Sequence, residues 1–193
     1  AGVRFKRAWA DSEEVDVTER AYGPGRSSII AVVNRGRRAV NDPVFFDYGA
    51  RVLRMRLGPT AIGFASIRDG RLQAAVIDHP EGLGEVKFND DLLAFTGTFA
   101  AIVAEPDYAL VSALDRGEVT IKAGGLKRPV KLYRLFIDGR REEAPFRWEQ
   151  GSLAFRYEAG AKDDRTDLYL ALAEGVTIEH ALGPYLERTA RAD

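Results

Sequence analysis

Few residues in this chain have the type and spacing that chemistry needs. His79 directly follows Asp78, and a histidine beside a carboxylate is a pair that can shuttle a proton. A nucleophile to complete it is missing, because no G-x-S-x-G elbow occurs. The only other histidine, His180, stands far along the chain, and there is no cysteine. Thiol nucleophiles, disulfides and thiolate metal sites are therefore excluded, and a histidine-rich metal site has too few members. Asp163, Asp164 and Asp167 lack the calcium-loop spacing and read as a polar loop. Gly23-Pro24-Gly25-Arg26-Ser27-Ser28 precedes an expected helix, whose N-terminus attracts anions. It lacks the spacing of a phosphate-binding loop, so a hinge is the plainer reading. Gly124-Gly125-Leu126-Lys127-Arg128 could hold a lipid phosphate or carboxylate, against the simpler reading of a solvated turn. Arg140-Arg141-Glu142-Glu143 reads as an exposed charged segment. Trp9 and Trp148 suit core or edge packing better than a membrane interface. The residues thus assign no catalytic group, metal or cofactor.

The elements that would position these residues follow from composition and period. The 193 residues are 46% hydrophobic and 30% charged, enough apolar mass for a sizeable core. Twenty-eight basic and 29 acidic residues leave a net charge of -1. No whole-molecule field then draws the chain to nucleic acid or anionic membrane. No apolar run is long enough to span a bilayer as a helix. No basic-then-apolar leader is visible, although Ala1 rather than Met stands first, and the composition suits a cytoplasmic protein.

Residues 1–27 read as an arm or edge hairpin, with Val3 and Phe5 alternating with charges. A serine at 27 or 28 caps an expected helix carrying Ile29, Val32, Val33 and Val40, interrupted at Pro43. Residues 51–88 alternate as an antiparallel meander, with Asp69-Gly70 as its hairpin turn. Asn89 or Asp90 caps an expected helix on which Leu92, Phe95, Phe99 and Ile102 form the apolar stripe. Glu105-Pro106-Asp107 ends it and starts a second helix with Tyr108, Val111 and Leu114, closed at Gly117. Val119 and Ile121 make a short strand. Pro129 opens a third helix carrying Val130, Tyr133, Phe136 and Ile137. Residues 145–173 return to period two as a second meander. Thr177 caps a last helix with Ile178, Leu182, Tyr185 and Leu186, kinked at Pro184. A weak echo links residues 69–95 with 150–180.

Over residues 51–137 this order resembles the sterol-carrier-protein (type 2) family of lipid-binding domains, extending to residue 28 if the first helix is included. Ile67-Arg68-Asp69-Gly70-Arg71-Leu72 is similar to the family's strand–turn–strand hairpin. The run from Val86 through Asn89 to Phe95 resembles its strand entering a capped, Leu-rich helix. Ala109 to Ile121 looks like its helix–Gly–strand step, and Gly125 to Leu132 its turn into a closing helix. The segment between Asp91 and Gly117 is longer than the family's, and nothing in the minimal domain matches the stretch after residue 138.

The resemblance implies an α+β fold, a twisted, mainly antiparallel sheet covered by helices, with residues 28–138 as the carrier-like domain. Residues 139–193 would add a β-meander and helix packed on it. It also implies an apolar tunnel for a fatty acyl chain, sterol or isoprenoid. Its expected lining is Met55, Phe64, Leu92, Phe95, Phe99, Ile102, Tyr108, Leu114, Leu132, Leu135 and Phe136. Each buried ligand CH₂ would gain about 0.8 kcal/mol, with no polar chemistry required. The expected partner is a hydrophobic small molecule, with no nucleic acid and no integral membrane segment, and with a homodimer as an option. Two other readings compete. One is an enzyme on a steroid or polyketide using His79, Asp78, Tyr48 or Tyr133. The other is a structural or assembly domain with a filled core.

Overall fold

Alternation of buried and more exposed side chains marks most of the chain that the computed structural model describes, namely residues 7–22, 27–78, 82–136, 138–158 and 168–189. Positions Val3, Phe5, 23–26, His79, Ile137, Asp163, Asp164 and Asp167, and the side chain of Leu186, lie outside the described part. Alternation places successive side chains on opposite faces of a strand. Among the described residues it yields seventeen strands and one helix. The first half holds β1 (Trp9–Ala10), β2 (Val15–Ala21), β3 (Ser28–Asn34), β4 (Val40–Phe46), β5 (Arg51–Leu57), β6 (Ile62–Arg68), β7 (Arg71–Asp78), β8 (Leu83–Phe88) and β9 (Asp91–Thr96). The second half holds β10 (Phe99–Ala104), β11 (Tyr108–Ala113), β12 (Gly117–Lys122), β13 (Pro129–Leu135), β14 (Arg141–Glu143), β15 (Arg147–Glu149), β16 (Ser152–Tyr157) and β17 (Leu168–Ala173), then α1 (Ile178–Thr189).

The strands form two antiparallel sheets. The eight-stranded sheet runs β1-β4-β5-β8-β9-β12-β16-β15, and the nine-stranded sheet runs β14-β13-β17-β11-β10-β7-β6-β3-β2. Consecutive hairpins go to opposite sheets: β2–β3 to one, β4–β5 to the other, and so on to β10–β11. Turn chemistry sets their registers. Asp69-Gly70 and Gln150-Gly151 both take positive φ, as a two-residue hairpin turn with the strands' twist requires. Strands from before and after residue 138 share both sheets: β16 lies between β12 and β15, and β17 between β11 and β13.

The inward faces meet in one core. Leu53, Met55, Leu57, Val86, Leu93, Phe95, Val119 and Ile121 come from one sheet, and Ile30, Val32, Ile67, Leu72, Ile77, Ile102 and Val111 from the other. Tyr157 is buried among them, and its hydroxyl donates to the Ala113 carbonyl at 2.9 Å. Buried Asn34 bridges chain crossings by donating to the Arg38 and Gly58 carbonyls and accepting from the Gly36 amide.

The α+β, sterol-carrier-like architecture is therefore incorrect: the one helix among the described residues covers only part of one sheet, and the expected helices after residues 28, 90, 106 and 129 are strands. Each error has a physical cause. Leu92, Phe95, Phe99 and Ile102 happen to stand at helical spacing, but Gly97-Thr98 turns the chain between β9 and β10. Small inward residues, Ala100, Ala104, Ala109 and Ala113, hide the period of two and carry high helix propensity. In β3 and β11 both faces are apolar, and such runs carry no period that tells strand from helix. The β-branched run Ile29-Ile30-Ala31-Val32-Val33 favours the pleated state once tertiary partners exist. The helix expected after Thr177 is present, and the Thr177 hydroxyl caps the His180 amide at 3.2 Å.

Candidate functional site

The outer faces of the two sheets differ in kind. On the nine-stranded sheet, one outward row reads Ile29, Ser66, Ala74, Val103, Leu110, Leu170 across β3, β6, β7, β10, β11 and β17. The next reads Ala31, Phe64, Val76, Ala101, Ser112, Leu168. This face is apolar for most of its width, and α1 covers only one side of it. Ala181 of the helix packs on Leu170 and Leu172, with Tyr108, Leu110, Tyr133 and Leu182 around them. Beyond the helix, Ile29, Ile62 and Phe64 remain exposed, each at more than 40%.

A cleft of about 550 Å³ lies where the covered and open parts of this face meet. Ser66, Ala74 and Val103 contribute to its lining from the outward row. Three tyrosines line it: Tyr22 just beyond β2, Tyr108 at the start of β11, and Tyr185 on α1. The Tyr22 and Ser66 hydroxyls are 3.1 Å apart, and those of Tyr108 and Tyr185 are 3.4 Å apart. Burial, helped by the Tyr185 hydroxyl, pushes the Tyr108 phenol above its ordinary value, so it stays protonated and can donate. Arg68 and Glu105 pair across the lining, and Asp107 is held by Lys127 at 2.8 Å. The charges at the cleft are thus matched. Gln73 and His180 complete its polar equipment.

A larger hollow of about 830 Å³ between β1 and β2 has a different character. Its buried carboxylate, Glu19, accepts from the Arg7 guanidinium, the Ser28 hydroxyl and the Asp47 amide. That carboxylate is fully engaged in tying the sandwich edge together.

The eleven side chains expected to line one tunnel face several environments. Met55, Phe95, Ile102 and Leu132 are core residues, each no more than 1% exposed. Phe64 and Phe99 lie outward on the nine-stranded sheet, and Leu92 outward on the eight-stranded one. Leu114 is exposed beyond β11. Tyr108 and Leu135 border the cluster under α1, and Phe136 lies beneath the Arg134 and Arg140 guanidinium groups. Only Tyr108 reaches the cleft. The residues offered for an enzyme are also scattered: Asp78 ends β7, Tyr48 lies in the turn after β4, Tyr133 is on β13, and His79 is outside the described residues.

Tyr22, Ser66, Arg68 and Glu105 were not foreseen as site residues. Their one sequence signal was β6, where the larger side chains Ile62 and Phe64 alternate with Gly63 and Ala65, so the bulk points away from the core. Among the described residues, no group of three His, Asp or Glu side chains could hold a metal ion, and no helix is long and apolar enough to cross a membrane. Comparison with protein-family models, curated proteins and solved structures gave no match.

Proposed function

We propose that this protein is a binding module that takes a neutral saccharide in the tyrosine-lined cleft on the nine-stranded sheet. The carrying observation is the convergence of Tyr22, Tyr108 and Tyr185 with a charge-matched set of planar polar groups. A sugar ring has apolar C–H faces and a rim of hydroxyls. Tyrosine rings suit the faces, with a hydroxyl left over for hydrogen bonding. The Arg68–Glu105 pair and Gln73 offer donors and acceptors to the rim. Because Arg68 is answered by Glu105 and Lys127 by Asp107, the cleft has no excess charge to select an ion.

The test is a screen of neutral oligosaccharides by calorimetric titration, repeated with Tyr108→Ala and Tyr185→Ala. Losing one ring should weaken binding by about twofold to tenfold. No heat from any neutral sugar, or unchanged affinity in both variants, would remove this reading.

A second reading is favoured by the open platform of Ile29, Ile62 and Phe64 beside the cleft. An apolar ligand such as an acyl chain or steroid could lie across it, outside the sandwich. Phe64→Ser separates the two: it should abolish binding of a fluorescent fatty acid if that ligand is the right one, and leave sugar binding intact if it is not.

A further inference from the structure

The outer face of the eight-stranded sheet carries a charge arrangement that does not stabilise the fold. Arg54 on β5 stands directly opposite Lys87 on β8. Lys87 is opposite Leu92 on β9, and Leu92 opposite Lys122 on β12. Arg56 lies on the same face of β5, two residues from Arg54 and opposite Glu85. All four cations are exposed. Like charges directly opposite across strands are destabilising. Glu85, bonded to Lys87 at 2.9 Å, is the carboxylate within these rows. At the β8–β9 turn, Asp91 accepts the Leu72 amide and sits near Arg71, while Asp90 is exposed.

We propose that this stripe is a second binding site, for an acidic polysaccharide chain lying across β5, β8, β9 and β12. Three strand steps spread the cations over about 14 Å, which calls for an extended polyanion rather than one small anion. Between the charges the rows present Leu92, Ala94 and Thr120, a low floor on which a chain can rest. No aromatic ring stands in these rows for a base to stack on, as single-stranded nucleic acid binding uses. Among the described residues, no helix or ribbon projects from them to enter a duplex groove. A carboxylated or sulfated glycan fits both features.

The experiment measures binding of heparin, polyguluronate, neutral dextran, poly(dT) and duplex DNA to the full chain at low salt. The comparison variant is Arg54→Ser with Lys87→Ser. At least one acidic glycan should bind the wild type, bind at least tenfold more weakly to the double variant, and be released by added salt. Dextran should not bind this face. The double variant should melt close to the wild type, since it relieves the Arg54–Lys87 repulsion and gives up only the partly exposed Lys87–Glu85 pair. Tyr108→Ala with Tyr185→Ala should keep acidic-glycan binding, so the stripe and the cleft stand or fall separately. No acidic-glycan binding, equal binding by the Arg54/Lys87 variant, or tighter binding of either nucleic acid would overturn the proposal.

Discussion

At Gly117 the fold has no space for a methyl group. A Cβ there would run into the Thr96 carbonyl and the Phe95 ring, and backbone cannot swing aside as a flexible side chain could. Gly117→Ala should therefore destabilise the protein by about 1–3 kcal/mol, read from urea unfolding. Tyr157→Phe should cost about 1–2 kcal/mol by the same measurement, because it removes a buried hydroxyl–carbonyl bond to Ala113 while keeping the ring contacts with Phe95 and Tyr169. Asp91 gives a pH dependence. Burial raises its folded-state pKa, opposed by the Leu72 amide and by Arg71. A carboxyl group whose pKa rises on folding contributes most stability at acid pH, and loses that contribution as pH climbs through the raised value. Asp91→Asn keeps an oxygen for the Leu72 amide and has no such titration. Its stability relative to wild type should therefore improve between about pH 3 and pH 7. A constant difference across that range would contradict this account of Asp91.

At the scale of elements, α1 matters most because it turns a sheet face into a cleft. Its hold is small: Ala181 on Leu170 and Leu172, bordered by Ile178 and Leu182. Ala181→Asp would place a carboxylate at a position with no exposure. It should release the helix while the two-sheet core stays folded. The expected signature is a loss of helical circular dichroism and of sugar binding together, with the main unfolding transition retained. Collapse of the whole molecule would show instead that the helix is integral to the core. This helix was legible in sequence because Thr177 and the spacing of Ile178, Leu182 and Tyr185 agree. The hairpin at Asp69-Gly70 was legible for a similar reason, since its turn chemistry needs no tertiary information. The strands β3, β9, β10, β11 and β13 were not, because each has apolar residues facing two ways or small residues hiding the period. The cleft was less legible still. Its tyrosines lie at positions 22, 108 and 185, and only sheet register and the docking of α1 bring them together.

At the scale of the molecule, hairpins alternating between two sheets give an architecture with two unlike outer surfaces. One is apolar and partly roofed by α1, ending in a tyrosine-lined cleft; the other is crossed by Arg54, Lys87 and Lys122. Met55, Phe95 and Ile102, expected to line an internal tunnel, are packed in the shared core. Both proposed sites lie on these outer surfaces, and exchange of a ligand at them needs no opening of the core.

The most direct test is a map of backbone amide chemical shifts as the best-binding neutral oligosaccharide is added to isotope-labelled protein. Shifts should concentrate on Tyr22, Ser66, Gln73, Glu105, Tyr108 and the α1 residues near Tyr185, leaving β5, β8 and β12 still. Shifts spread over the eight-stranded sheet, or confined to Ile29, Ile62 and Phe64 away from the tyrosines, would contradict the placement of the sugar in the cleft.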